Sequence, residues 1–95
     1  MDAVHFLVQL QHVRNGLFRR IAAIRSKETV YGTVREMEGL LRCLDETERE
    51  VRSGTRRLPK EHYPMSASGI VIDQWPWEDP LGREICALGR SYDML

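Results

Sequence analysis

Apolar residues recur at helical spacing through the first half of the chain. From Ala3 to about Arg25, Phe6, Leu10, Val13, Leu17, Ile21 and Ile24 fall within about 80° of one another at 100° per residue, which predicts one helix with a buried stripe. Leu7 and Phe18 widen that stripe; Gln9, His12, Asn15, Gly16 and Arg19 lie outside it. Asp2 stands where an N-cap belongs. Arg14 lies on the apolar edge, where its stem can cover the core and its guanidinium reach the rim, a position that also suits an interface anchor.

A second run, Val30 to Val51, places Val30, Val34, Met37, Leu41, Leu44 and Val51 at intervals of 4, 3, 4, 3 and 7, a heptad seam with Glu48 at its sixth position. Such a seam buries itself against another helix. Glu48 predicts that the far end frays or pairs with an arginine, and Leu40 with Cys43 forms a second apolar strip that needs covering. The connection allows two readings. The first helix either stops near Arg25, with a loop over Ser26 to Thr29 and the second helix beginning there, or continues and breaks at Gly32, ahead of the Thr33–Glu36 capping box. Gly54 ends the second helix. Two helices of roughly 20 to 25 residues, some 30 to 38 Å long, joined by a short connection predict an antiparallel hairpin.

From residue 55 to 69 the periodicity stops and two prolines enter, as expected for a linker. Ile70 to Ile72 suits only a short extended stretch, followed by Trp75-Pro76-Trp77. Asp79-Pro80 is an N-cap followed by proline at the first helical position. Leu81, Ile85 and Leu88 then predict a short third helix stopping at Gly89, with a loose tail beyond. The expected fold is therefore all-α: a coiled-coil-like antiparallel two-helix hairpin (1–54), a linker (55–69), and a tryptophan-containing extended arm with a short C-terminal helix (70–95), together one small domain.

Composition narrows the function classes. Ninety-five residues with 14 basic and 14 acidic side chains are formally neutral, which removes the simplest argument for nucleic acid or an anionic membrane as partner. Twelve of the basic residues are arginine, the side chain that prefers bidentate pairing and interfaces, although a GC-rich coding bias gives the same excess. Cys43 and Cys86 show no metal spacing and are expected to be reduced. No apolar run approaches a membrane span, and the first residues lack a signal-peptide pattern, so an intracellular, soluble chain in cytoplasm or nucleus is expected.

Candidate chemistry is sparse. His5 and His12 share a face two turns apart without a third ligand, Glu46, Glu48 and Glu50 do not converge, and no phosphate-binding or nucleophile motif occurs. The expectation is a non-enzymatic module without cofactor or metal, an adaptor, small complex subunit or inhibitor. Its partner would be another protein chain or its own copy, met through Arg14, Val34, Met37, Leu41, Leu44, Trp75 and Trp77. The tryptophans either fold back over the Leu40–Cys43 strip or anchor a partner.

Nucleic acid is the alternative partner. Ser26 to Leu41, SKETVYGTVREMEGLL, resembles the recognition helix of winged helix-turn-helix repressors, and residues 51–65 resemble the wing. The resemblance covers about a sixth of the chain and implies a small DNA-binding regulator contacting phosphates through Arg25, Lys27, Arg52, Arg56, Arg57 and Lys60. It departs from that family where RRIAAIRSK lacks the turn glycine, and where the pattern after Leu41 stays helical.

Overall fold

The computed structural model describes residues 2–54, 75–76 and 78–95, and among these it holds three capped helices. They are α1 (Ala3–Arg25), α2 (Val34–Ser53) and α3 (Pro80–Asp93), and no strand occurs among the described residues. The expected linker, the Ile70–Ile72 stretch and Trp77 lie outside them.

Each boundary has a chemical cause. The Asp2 carboxylate accepts from the His5 amide at 2.8 Å and opens α1. At α2, Thr33 Oγ1 accepts from the Glu36 amide at 3.1 Å while Glu36 accepts from the Thr33 amide at 3.0 Å, so the capping box is complete. Asp79 caps α3 through the Gly82 amide at 3.1 Å, with Pro80 at the first helical position. α2 ends at Gly54, whose φ of 70° is left-handed. α1 stops at Arg25, as in the first reading, but the second helix does not begin after Thr29: the loop runs on to Gly32, whose φ of 96° delivers the chain to the Thr33 cap. Ser26 to Tyr31 is thus a turn rather than the opening of a recognition helix.

α1 is the central helix, packing on both α2 and α3. It forms an antiparallel hairpin with α2, and Arg14 of α1 meets Asp45 and Glu48 of α2. α3 also runs antiparallel to α1. Arg20 meets Asp79, a Cβ on Gly16 would touch Leu81, His12 meets Glu84, and Phe6 packs against Tyr92 with the rings tilted. The inner stripe of α1 is buried from Phe6 to Ile21, and Ile24 is partly buried. Gly16, expected outside the stripe, is buried because α3 approaches there, and Phe18, expected to widen it, is 54% exposed.

α2 is rotated from its expected seam. Its buried residues are Met37, Leu40, Leu44 and Thr47, while Val34 and Leu41 are half-buried at the edge and Val30 precedes the helix. The buried face therefore centres about 70° away from the Leu41–Glu48 line, at 100° per residue. Centring that line would bury an ionised carboxylate. Instead Glu48 sits at the rim and pairs with Arg14 and Arg52, and Thr47 enters the core with its hydroxyl bonded to the Cys43 carbonyl at 2.7 Å.

α3 continues through Gly89 to Asp93. The heptad of Leu81, Ile85 and Leu88 has Tyr92 as its next member, and Tyr92 is fully buried. A mid-helix glycine costs about 1 kcal/mol against alanine. Burying some 150 Å² of tyrosine contributes roughly 4 kcal/mol at 25 cal/mol per Å². Burial wins, and the tail is helical.

Candidate interaction surface

Two polar clusters tie the helices together. Around Arg20, Nη1 donates to the Tyr31 carbonyl at 2.8 Å, Nη2 meets Asp79 Oδ1 at 2.8 Å, and the guanidinium lies 5.3 Å from the centroid of the Trp75 ring. The pair is almost out of solvent, with side-chain exposures of 12% and 6%. One arginine thereby joins the α1–α2 turn, the tryptophan segment and the start of α3. Burial on its own raises the Asp79 carboxyl, but the Arg20 hydrogen bond and the Gly82 amide outweigh it and hold the group below its ordinary value. Around Arg14, Nη2 meets Asp45 at 3.0 Å and Glu48 at 2.6 Å, while Nη1 donates to Gln11 at 2.6 Å. Hydrogen bonds from Arg14, then Arg52, hold the Glu48 carboxyl low.

The expected interface residues divide. Met37, Leu44 and Trp75 belong to the chain's own core, where the Trp75 ring lies beside Gly32 and Met37 at the closed end of the hairpin. These three side chains are buried within the chain itself. Arg14 is occupied by the two α2 carboxylates, Val34 and Leu41 are half-buried, and Trp77 lies outside the described residues.

Among the described residues, the basic candidates lie at opposite ends of the hairpin. Arg25 and Lys27 lie at the closed end of the hairpin, whereas Arg52, paired with Glu48, lies at the opposite end of α2. Arg56, Arg57 and Lys60 lie outside the described residues. An open cleft of about 300 Å³ between α1 and the start of α3 has Gly16 and Leu81 at its base and Arg19 and Glu84 at its sides. Among the described residues, no group of three histidine, cysteine or acidic side chains gathers to hold a metal. No helix described is long and apolar enough to cross a membrane. Burial pushes both thiols, Cys43 and Cys86, above their ordinary values.

The feature missed in the sequence is the outward face of α1. Val4, Val8, Gln11, Asn15, Phe18 and Ala22 are all exposed, fall within about 80° of one another, and are spaced 4, 3, 4, 3 and 4. Val4 is 71% exposed, Val8 66% and Phe18 54%. Gln11 and Asn15, in the middle, hydrogen-bond to each other at 2.9 Å. The spacing was readable from the start, but the two central amides hide it from a scan for apolar residues, and Phe18 also fits the margin of the inner stripe. Comparison with protein-family models, with curated proteins and with solved structures gives no match.

Proposed function

We propose that the chain is a non-enzymatic interaction module whose helices form a coiled-coil-like contact with another protein chain. The single observation behind this reading is the outward row of α1. Scattered exposed apolar residues are ordinary on a protein surface, but here Val4, Val8 and Phe18 lie on one line at heptad spacing. A helix apolar on its inner face and again along its outer face fits a central place in a larger helical assembly.

The test is the apparent mass of the full chain in an extract of its own cells, at about 0.1 M and about 0.5 M salt, which screens exposed charge increasingly. Elution well above the monomer mass at both salts, returning to monomer mass in Phe18→Glu, supports the module. Monomer mass both in the extract and for the purified chain at about 1 mM, or retention on duplex DNA that falls steeply with salt, overturns it.

A further inference from the structure

Resting on that reading, we infer that the partner of the outer α1 face is a second copy of this chain, bound antiparallel about a two-fold axis beside residue 13. The row is a palindrome in polarity: apolar Val4 and Val8, polar Gln11 and Asn15, apolar Phe18 and Ala22. When the helix is laid against itself in the opposite direction, Val4 meets Ala22 of the second copy, Val8 meets Phe18, and Gln11 meets Asn15. Every layer then matches like with like, as a self-complementary interface requires. In heptad terms each layer pairs one seam position with the other. Buried amides at such positions fix register at some cost in affinity. A parallel pairing in register would instead stack Phe18 on Phe18 and leave Ala22 facing Ala22, filling the seam unevenly.

Charge agrees with this register. The edge of the row carries His5, His12 and Arg19. Antiparallel pairing brings His5 of one copy within two residues, about 3 Å along the axis, of the level of Arg19 of the other. His5 Nδ1 lies 2.8 Å from the Asp2 carboxylate, which is itself exposed. Arg19 is exposed and makes no ion pair among the described residues. Each end of the pair therefore places a carboxylate near a guanidinium that has no ion-pair acid among the described residues, and the two-fold axis does this twice.

The area sets the strength. A ribbon about 27 Å long and about 11 Å wide on each helix covers roughly 600 Å² over both copies, about half of the smallest standard interfaces. The expected dimer is weak and reversible, with a dissociation constant on the order of 10 µM to 1 mM.

Sedimentation of the purified chain from about 5 µM to about 1 mM should show monomer passing to dimer across that range. Val8→Glu and Phe18→Glu, both at exposed positions, should keep the helical circular dichroism of the parent and weaken association at least about tenfold. Val8→Cys mixed with Phe18→Cys should cross-link to each other faster than either does to itself, with the parent chain as the background for Cys43 and Cys86. A monomer at every concentration, a dimer unchanged in both Glu variants, or dominant Val8→Cys self-cross-linking would each overturn the proposal. A purified monomer that still runs above monomer mass in the extract removes the second copy but leaves the interaction module standing. Monomer mass in both removes both.

Discussion

Breaking the Arg20–Asp79 pair should cost more than any surface change in the molecule. The pair is short at 2.8 Å, nearly excluded from water, and linked to a backbone carbonyl, an aromatic ring and a helix cap at once. Removing one partner of a buried pair typically costs about 3–5 kcal/mol, because the other charge stays buried and unpaired. Asp79→Asn keeps the capping oxygen and should lose about 3 kcal/mol; Asp79→Ala also loses the cap and should lose about 4 kcal/mol. Arg20→Met leaves Asp79 facing only the first amides of α3 and should also lose about 3 kcal/mol. The double variant Arg20→Met/Asp79→Asn buries neither charge, so its loss should be nearer about 3 than 6 kcal/mol, a coupling of about 2–3 kcal/mol. Against a total stability of about 5–14 kcal/mol for a chain this size, these shifts are easily read. Urea unfolding followed by helical circular dichroism measures them as midpoint shifts at constant slope. A coupling below about 0.5 kcal/mol, that of an exposed pair, would refute the claim that this junction is closed to solvent.

Three further outcomes follow from the same contacts. Gly32→Ala must hold a side chain at φ 96° with its Cβ overlapping the Met37 methyl and 3.0 Å from the Trp75 ring. It should lose at least about 2 kcal/mol in the urea assay, and a loss under about 0.5 kcal/mol would show that the turn repacks freely. Tyr92→Ala should lose about 3–5 kcal/mol by opening a cavity against Phe6, whereas Tyr92→Phe, which forfeits the 3.0 Å bond to Glu50, should lose only about 1 kcal/mol; equal losses would contradict the packing role. Asp79 and Glu48 are both held below their ordinary values, so the stability they contribute is complete above the unfolded carboxylate range and is lost as pH falls through their folded values. Melting temperature should accordingly be flat above about pH 5 and drop below about pH 4, less steeply in Arg20→Met/Asp79→Asn; an unchanged acid slope in that variant would rule Asp79 out as a contributor.

Local signals in the sequence were sufficient wherever one residue type satisfies one backbone need. Asp2, Thr33 with Glu36, and Asp79 ahead of Pro80 cap the helices where their types and spacing place them, and Gly54 ends α2. The rotation of α2 was less legible, because periodicity counts apolar residues without weighing what else their face must bury. Leu41 and Leu40 score alike until Glu48 and Thr47 are compared as core residues, and then a carboxylate loses to a hydroxyl that can bond its own helix. Gly89 was misleading for a similar reason. A helix-breaking propensity of about 1 kcal/mol is visible locally, while the pocket that receives Tyr92 is built by Phe6, far away in sequence. The Arg20 junction leaves no sequence trace at all, since its members are separated by up to 59 positions.

The inner and outer rows of α1 differ in what they ask of a neighbour. The inner row is continuous, from Phe6 through Leu10, Val13 and Leu17 to Ile21, and is satisfied by α2 and α3 packing from two sides. The outer row is broken at its centre by two amides that already bond each other at 2.9 Å. If the row only faced water, Val4, Val8 and Phe18 would gain nothing from sharing a line, and Gln11 and Asn15 would need no fixed place between them. In an antiparallel pair the same arrangement has a physical cause. Apolar layers at both ends supply the area, and the amides at the axis disfavour neighbouring registers, because a one-heptad slip would set an amide against Val8 or Phe18, where the donors left over from its bonds within α1 find no acceptor. A weak contact needs that penalty more than a strong one does, since it has little area with which to discriminate.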